Sequence, residues 1–341
     1  MNSLSTISLK TSEPVIETKG LSAGYIVSGR KRIILEDISI ELHSGKLISF
    51  MGPNGSGKST LLRTLSGIQK PLKGTILINQ KEISKISSHE IAKSISVVLT
   101  KNIVPGNLSV ADLVYLGRYP YVSWRINFSK NDHNKVEWAI EKSGIANLLN
   151  YKAFELSDGQ FQKVMIARAL AQDGKIMILD EPNAHLDLNN RVEIMNLLRD
   201  LAHSTGKAVL LATHELDLAL QTSDYLWLLS KDGQLSQGMP EDMVLSGAID
   251  EVFEFKGYDL KTGKILSNPY RQKINLTGKG HSFLWTKNSL ERNGYSIGAG
   301  ADISIMVLYQ DNKLTWKVNF SGQERSVHSI EAMLSLLENQ T

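Results

Sequence analysis

Apolar residues recur along the first two thirds of the chain in short unbroken runs set between stretches of helical spacing. Leu47-Ile-Ser-Phe-Met51, Lys175-Ile-Met-Ile-Leu179 and Lys207-Ala-Val-Leu-Leu-Ala-Thr213 have strand length. The first runs through glycine into a helix predicted over Ser59 to Leu65, with Gly67 at its end. The other two each follow helical spacing, Phe161 to Ala171 and Arg191 to Ala202. Strands apolar on both faces, alternating with helices, predict a largely parallel sheet covered on both sides. A polar lead-in over 1–20 joins a first strand near Val15 to Thr18. Residues 101–155 break the rhythm: Val110 to Leu116, Asn134 to Ser143 and Gly144 to Asn150 read as helices, with Pro105 and Pro120 as breaks, so a mainly helical insertion is expected.

The pattern changes near 255. Gly257, Gly263, Pro269, Gly278 and Gly280 punctuate a weakly periodic stretch that reads as a linker with weak strands. Leu314, Trp316, Val318 and Phe320 then alternate with polar residues, and Ile303 to Gln310 precedes them across Asp311-Asn312, so a hairpin is expected. Val327, Ile330, Leu334 and Leu337 have the spacing of a final amphipathic helix. The sequence thus divides into a domain over 1–255 and a small α/β appendage over 256–341, whose aromatic residues, His281-Ser-Phe-Leu-Trp285 and Trp316, are expected to pack its core.

Composition limits the chemistry. The 341 residues are 42% hydrophobic and 21% charged, ordinary for a globular protein, with a net charge of +3 too small to suggest nucleic acid. The surplus sits late: from Lys261 onward there are ten Lys/Arg against six Asp/Glu. The absence of cysteine excludes disulfides, thiolate metal sites and thiol catalysis. No apolar run approaches the ~18–20 residues that span a bilayer, and the polar start lacks the apolar core of a secretory signal. A soluble, cytosolic-type protein is expected, meeting membranes only through a partner.

Gly52-Pro-Asn-Gly-Ser-Gly57-Lys58-Ser59 places a glycine, four residues, then Gly-Lys-Ser between a strand and a helix. Glycines let backbone N–H groups close around phosphates, and the helix that follows points its positive end at the same anion. Lys58 is placed to reach the β- and γ-phosphates and Ser59 to ligate Mg²⁺; Gly52, Asn54, Gly55, Gly57 and Thr60 complete the expected nucleotide loop. Downstream, the strand Lys175 to Leu179 ends in Asp180-Glu181-Pro182, at the strand end where open parallel sheets bind ligands. Asp180 is expected to hold Mg²⁺ and Glu181 to polarise an attacking water.

With these residues in place the sequence resembles the ATP-binding cassette (ABC) ATPases over about residues 14–255. Leu156-Ser-Asp-Gly-Gln160 resembles the family signature, Asn183-Ala-His-Leu-Asp187 the loop after the acids, Ala212-Thr-His214-Glu215 the histidine switch, and Tyr25 the ring stacked on adenine. The resemblance implies a P-loop NTPase fold and a head-to-tail dimer with two ATP molecules between copies. Each ATP would lie on one phosphate loop and meet Ser157, Gly159 and Gln160 of the other copy. Glu181 would be the general base, His214 would hold the γ-phosphate, and Asp187 would communicate across the interface. Two positions depart from the family: Thr100 stands where glutamine is usual, and Asp158 replaces a signature glycine and adds negative charge. Hydrolysis is still expected, and Thr100→Gln is expected to leave it intact or raise it.

Asn107-Leu-Ser-Val110 followed by Leu113-Val-Tyr-Leu-Gly-Arg-Tyr-Pro-Tyr121 resembles the import ATPases for iron–siderophores, haem and cobalamin; on physical grounds alone Gly117 to Tyr121 is a helix end with a proline stop. The resemblance implies an ATPase that powers import through a separate membrane permease. A solute-binding protein would take part indirectly, and the chain would sit peripherally on the cytoplasmic face of the cell's inner membrane. No nucleic-acid partner is expected. The alternatives are a cytosolic non-transport ABC ATPase, against which stands the lack of a second cassette or long coiled coil, and a regulatory module that binds ATP without turnover. The appendage is expected to regulate or to brace a dimer.

Overall fold

The computed structural model describes residues 13–99, 107–123, 125, 127–184, 186–265, 271–310, 313–320 and 322–339. The chain divides into two compact units, Met1–Glu254 and Phe255–Thr341. Among the described residues no helix is long and apolar enough to cross a membrane.

In the first unit the strands Tyr225–Leu229, Leu47–Met51, Ala208–Ala212, Ile176–Asp180 and Ile95–Val98 lie side by side and parallel, with Leu235–Gly238 antiparallel at one edge. The unbroken apolar runs are explained by where alternate side chains go. Met177, Leu179, Val209 and Leu211 enter one core with the helices of the insertion. Ile176, Ile178, Ala208, Leu210 and Phe50 enter the other, with Leu61, Leu62 and Leu65. Each strand is therefore buried on both faces, as parallel sheets require. Phe50 also meets Trp227 edge to face, with ring centroids 6.2 Å apart.

A second sheet in this unit was not anticipated. The predicted strand near Val15 to Thr18 is the start of a 12-residue strand, Ile16–Val27. It pairs antiparallel with Arg30–Ile38, Glu41–Leu42 and Lys73–Ile78. Its register shifts between Leu21 and Gly24, which interrupts the two-residue alternation that would have marked it.

The insertion is helical: Val110–Tyr115, a 3-10 segment Leu116–Tyr121, and Lys130–Ser143, packed against Asp158–Ala171. The expected helix over Gly144 to Asn150 is absent apart from a 3-10 turn, Ala146–Leu148. Gly144 takes a left-handed conformation and ends the preceding helix. Pro105 lies outside the described residues.

The second unit holds a sheet in the order Ser296–Ile297, Lys273–Thr277, Ile303–Gln310, Lys313–Phe320, Gln323–Val327, with helices Gly280–Arg292 and Ile330–Glu338. The expected hairpin pairs Ile303–Gln310 with Lys313–Phe320, and its Asp311-Asn312 turn lies outside the described residues. Val327 ends a strand and does not open the final helix, which starts after Ser329, whose hydroxyl accepts from Ala332 N–H at 3.1 Å. Trp316 is buried and its Nε1 donates to Thr286 Oγ1 at 2.7 Å. Trp285 is 65% exposed, so the expectation that it packs the core is corrected: it lies off the stripe formed by Thr286, Ser289 and Leu290.

Candidate functional site

Three loops leave the parallel sheet at one level, because Phe50, Ala212 and Asp180 are cross-strand neighbours. They carry the phosphate loop, the His214 loop and Glu181. Backbone bonds tie them further: Thr213 N–H donates to Phe50 O and Glu181 N–H to Ala212 O, at 3.1 and 2.9 Å.

The phosphate loop ends at Gly57, whose φ of +110° is open only to glycine, and whose missing Cβ leaves room for Ile34. Gly57 offers no side chain to cap the Lys58–Leu65 helix, so its first N–H groups stay available to an anion. Lys58 Nζ donates to the carbonyls of Gly52 and Pro53 at 2.7 and 3.1 Å, which holds its charge over the loop. Burial lowers the Lys58 ammonium below its usual range, with Glu181 and Asp180 opposing. A cleft of about 370 Å³ opens here, lined by Tyr25, Arg32 and Ile34 from the antiparallel sheet, by Asn54, Gly55, Gly57, Lys58, Ser59 and Thr60, and by Glu181. Tyr25 shares a 2.9 Å hydroxyl hydrogen bond with Thr60. Arg32 and Ile34 were missed in the sequence, where nothing but strand alternation marks them.

Ser59 Oγ donates to Asp180 Oδ1 at 3.1 Å. Burial raises the Asp180 carboxyl, the Ser59 hydrogen bond opposes that, and the neighbouring Glu181 adds to it. A hydroxyl and a poorly solvated carboxylate in contact beside the phosphate loop form a hard-oxygen donor set that fits Mg²⁺. Glu181 has a φ of +51°, a conformation that costs a non-glycine residue about 1–2 kcal/mol. The Ala212 bond and a turn from Ala184 N–H to Glu181 O hold it there. His214 lies half exposed, its Nδ1 3.9 Å from Glu181 Oε1 and its Nε2 3.7 Å from Glu215 Oε1.

Ser157, Gly159, Gln160 and Asp187 do not line the cleft. Ser157 and Gln160 form a capping box at the start of Asp158–Ala171: Ser157 Oγ accepts from Gln160 N–H at 3.3 Å, and Gln160 Oε1 accepts from Ser157 N–H at 3.0 Å. Asp158 is exposed in that first turn. Asp187 caps Leu188–Thr205 by accepting from Asn190 N–H at 2.8 Å. Gly159 is buried against this cap, where a Cβ would fall 2.6 Å from the Asn190 amide. Its lack of a side chain therefore serves packing inside the chain, a use the sequence did not reveal. Thr100 and His185 lie outside the described residues.

The Gly117 to Tyr121 segment is more than a helix end. Arg118 is 1% exposed, and its Nε and Nη2 each lie 2.9 Å from Asp132 Oδ1. Its Nη1 donates to Ala171 O at 2.6 Å, and its guanidinium lies 3.8 Å from the Tyr121 ring centre. The motif locks the insertion onto the end of Asp158–Ala171.

The family model for ABC transporters matches residues 35–184, and the model for the iron ABC transporter C-terminal domain matches residues 271–338. The iron(3+)-hydroxamate import ATP-binding protein FhuC of Bacillus subtilis is 35% identical over 239 residues, 70% of this chain and 87% of that protein. Among solved structures, an inward-facing ABC transporter assigned to the metal-chelate type aligns with a TM-score of 0.61 and 27% identity, over 71% of this chain and 90% of that one. The dimeric ATP-binding cassette MJ0796, in a post-hydrolysis state bound to ADP and Pi, aligns with a TM-score of 0.58 and 27% identity, over 66% and 98%. With the phosphate loop, the strand-end acids and the His214 loop gathered at one end of the parallel strands, these similarities place the chain in the ABC family, among the ATP-binding subunits of ABC transporters.

Proposed function

We propose that this chain hydrolyses ATP to drive import of an iron chelate through a separate membrane permease, working as a dimer with ATP held between two copies. ATPase activity belongs to the family. The observation that carries the hydrolytic assignment here is the convergence of Lys58, the Ser59–Asp180 pair and Glu181 on one cleft. Lys58 and the uncapped helix start bind the phosphates of ATP; Ser59 and Asp180 would hold Mg²⁺, which would supply neutralisation of phosphate charge. Glu181 accepts the proton of the attacking water, and His214 steadies the γ-phosphate. Tyr25 faces the base. In one chain Ser157 and Gln160 cap only their own helix, so the site is completed by the signature segment of a second copy. A ring of two such sites makes ATP a ligand of the interface, and hydrolysis removes it.

Glu181→Gln is expected to cut phosphate release by at least ~100-fold with ATP binding retained, the range for loss of a general base. Turnover at the wild-type rate would remove Glu181 from that role.

The iron-chelate assignment is supported by the C-terminal domain match and by the similarity to FhuC. Deleting the chain in its own cell should abolish uptake of labelled ferric chelate; unchanged iron uptake with lost cobalamin uptake would redirect the cargo. A regulatory ATP-binding module is the second reading, favoured by the exposed Asp158 in the signature. It predicts ATP binding without phosphate release by the wild-type chain in its transporter.

A further inference from the structure

Glu215 immediately follows the switch histidine and stands at the N-cap of Leu216–Thr222, yet its side chain makes no capping bond. Its two carboxylate oxygens are both taken by Arg191 Nη1, each at 2.7 Å. Arg191 belongs to the first turns of Leu188–Thr205, the helix capped by Asp187. In the same turn Asn190 holds Asp187 twice: its N–H donates to Oδ1 at 2.8 Å and its Nδ2 to Oδ2 at 3.0 Å. Gly159 packs on that Asn190 amide. A continuous set of contacts therefore runs from Glu181 through His214, Glu215 and Arg191 to the first turn that touches the signature helix. In the ATPase reading above, one end of this set would serve the nucleotide on this chain's own phosphate loop and the other the nucleotide on its partner's.

We propose that Arg191 is a positioning residue for ATP turnover, holding the His214 loop through Glu215 and fixing it to the helix turn on which Gly159 packs. The inference rests on the ATPase reading above. A pair in which both groups are charged and only partly exposed is stronger and more directional than a surface ion pair. It leaves the His214 loop one position relative to the Leu188–Thr205 helix. Arg191 touches neither nucleotide nor water in this scheme, so its loss should act on the rate of the chemical step and spare ATP affinity.

The test uses the full-length chain with Mg²⁺ and ATP, reading steady-state phosphate release and thermal unfolding together. R191A is expected to lower kcat about tenfold or more while the KM for ATP stays within about twofold. E215Q, which keeps the side-chain shape, should lose as much, and the double variant should lose no more than either, because residues acting as one unit are not additive. R191K should recover part of the loss, and the exchange R191E with E215R should recover more than either single reversal. Wild-type kcat in E215Q or R191A, with only a lowered unfolding temperature, would overturn the proposal and leave the pair as a staple. A raised KM at constant kcat would also overturn it. If R191A does not fold, E215Q and the exchange decide. The wild-type chain and E181Q run in parallel separate the two levels: no phosphate release by the wild-type chain overturns the ATPase reading, whereas wild-type turnover that is lost in E181Q but intact in R191A and E215Q overturns only the role of Arg191.

Discussion

Two single positions show how a residue's task differs from its motif label. Gly159 opens a helix, where alanine would ordinarily add about 0.5–1 kcal/mol over glycine. Here the added Cβ would lie 2.6 Å from the Asn190 amide, so the amide must leave Asp187. Gly159→Ala should therefore change global stability little, helix gain and displaced contact offsetting, yet lower ATP turnover severalfold; denaturant melts beside phosphate-release rates check both. Arg118 carries a subclass resemblance in the sequence, but its buried pairing with Asp132 is structural. Arg118→Ala strands a buried carboxylate and should cost about 3–5 kcal/mol in a denaturant titration, against ~0–1 for a surface pair. Burial opposes ionisation of Asp132, but hydrogen bonds from Ser129 and the Arg118 partner hold its carboxyl below the ordinary range. A lowered folded value contributes stability that is complete above the unfolded carboxyl's titration and is lost as pH falls through the folded one. Arg118→Met should raise the pH at which the chain unfolds in acid; an unchanged acid midpoint would show that the pair does not govern it.

Secondary structure was legible where one physical rule dominated. The strands around Ile176–Asp180 and Ala208–Ala212 read directly because burial on both faces leaves no polar position inside them. Helix starts were less well placed: Asn134 stood for a helix that begins at Lys130. The signal was present, since Ser129 and Asp132 form the capping box that fixes this start, as Ser109 with Asp112 and Ser157 with Gln160 do elsewhere. The long strand Ile16–Val27 was hidden by its bulges, and the Gln323–Val327 edge strand by a lack of buried positions. Site residues followed the same division. Lys58, Asp180 and Glu181 are set by spacing and strand ends. Arg191 and Glu215, 24 residues apart, obey no spacing rule and emerge only once the loops are folded together.

At the scale of the whole molecule, the first unit carries a phosphate cleft lined by Glu181, with His214 3.9 Å from that carboxylate, and a signature helix start whose capping residues lie outside the cleft. If, as proposed, a second copy supplies the missing half, phosphate release by the purified chain should rise more steeply than linearly with its concentration below the dimerisation range. The second unit has its own core around Trp316 and Met333. Removing 256–341 should leave ATP hydrolysis measurable in the remaining chain, while assembly, transport or its regulation changes; a truncation without effect on any of these would dispose of a regulatory or bracing role. The most direct measurement is a structure of the Glu181→Gln chain with Mg²⁺ and ATP. Phosphates on Lys58 of one copy and within reach of Ser157 and Gly159 of another are the expected result. An empty phosphate loop, or a bound nucleotide with no signature segment of a second copy beside it in a closed assembly, would contradict it.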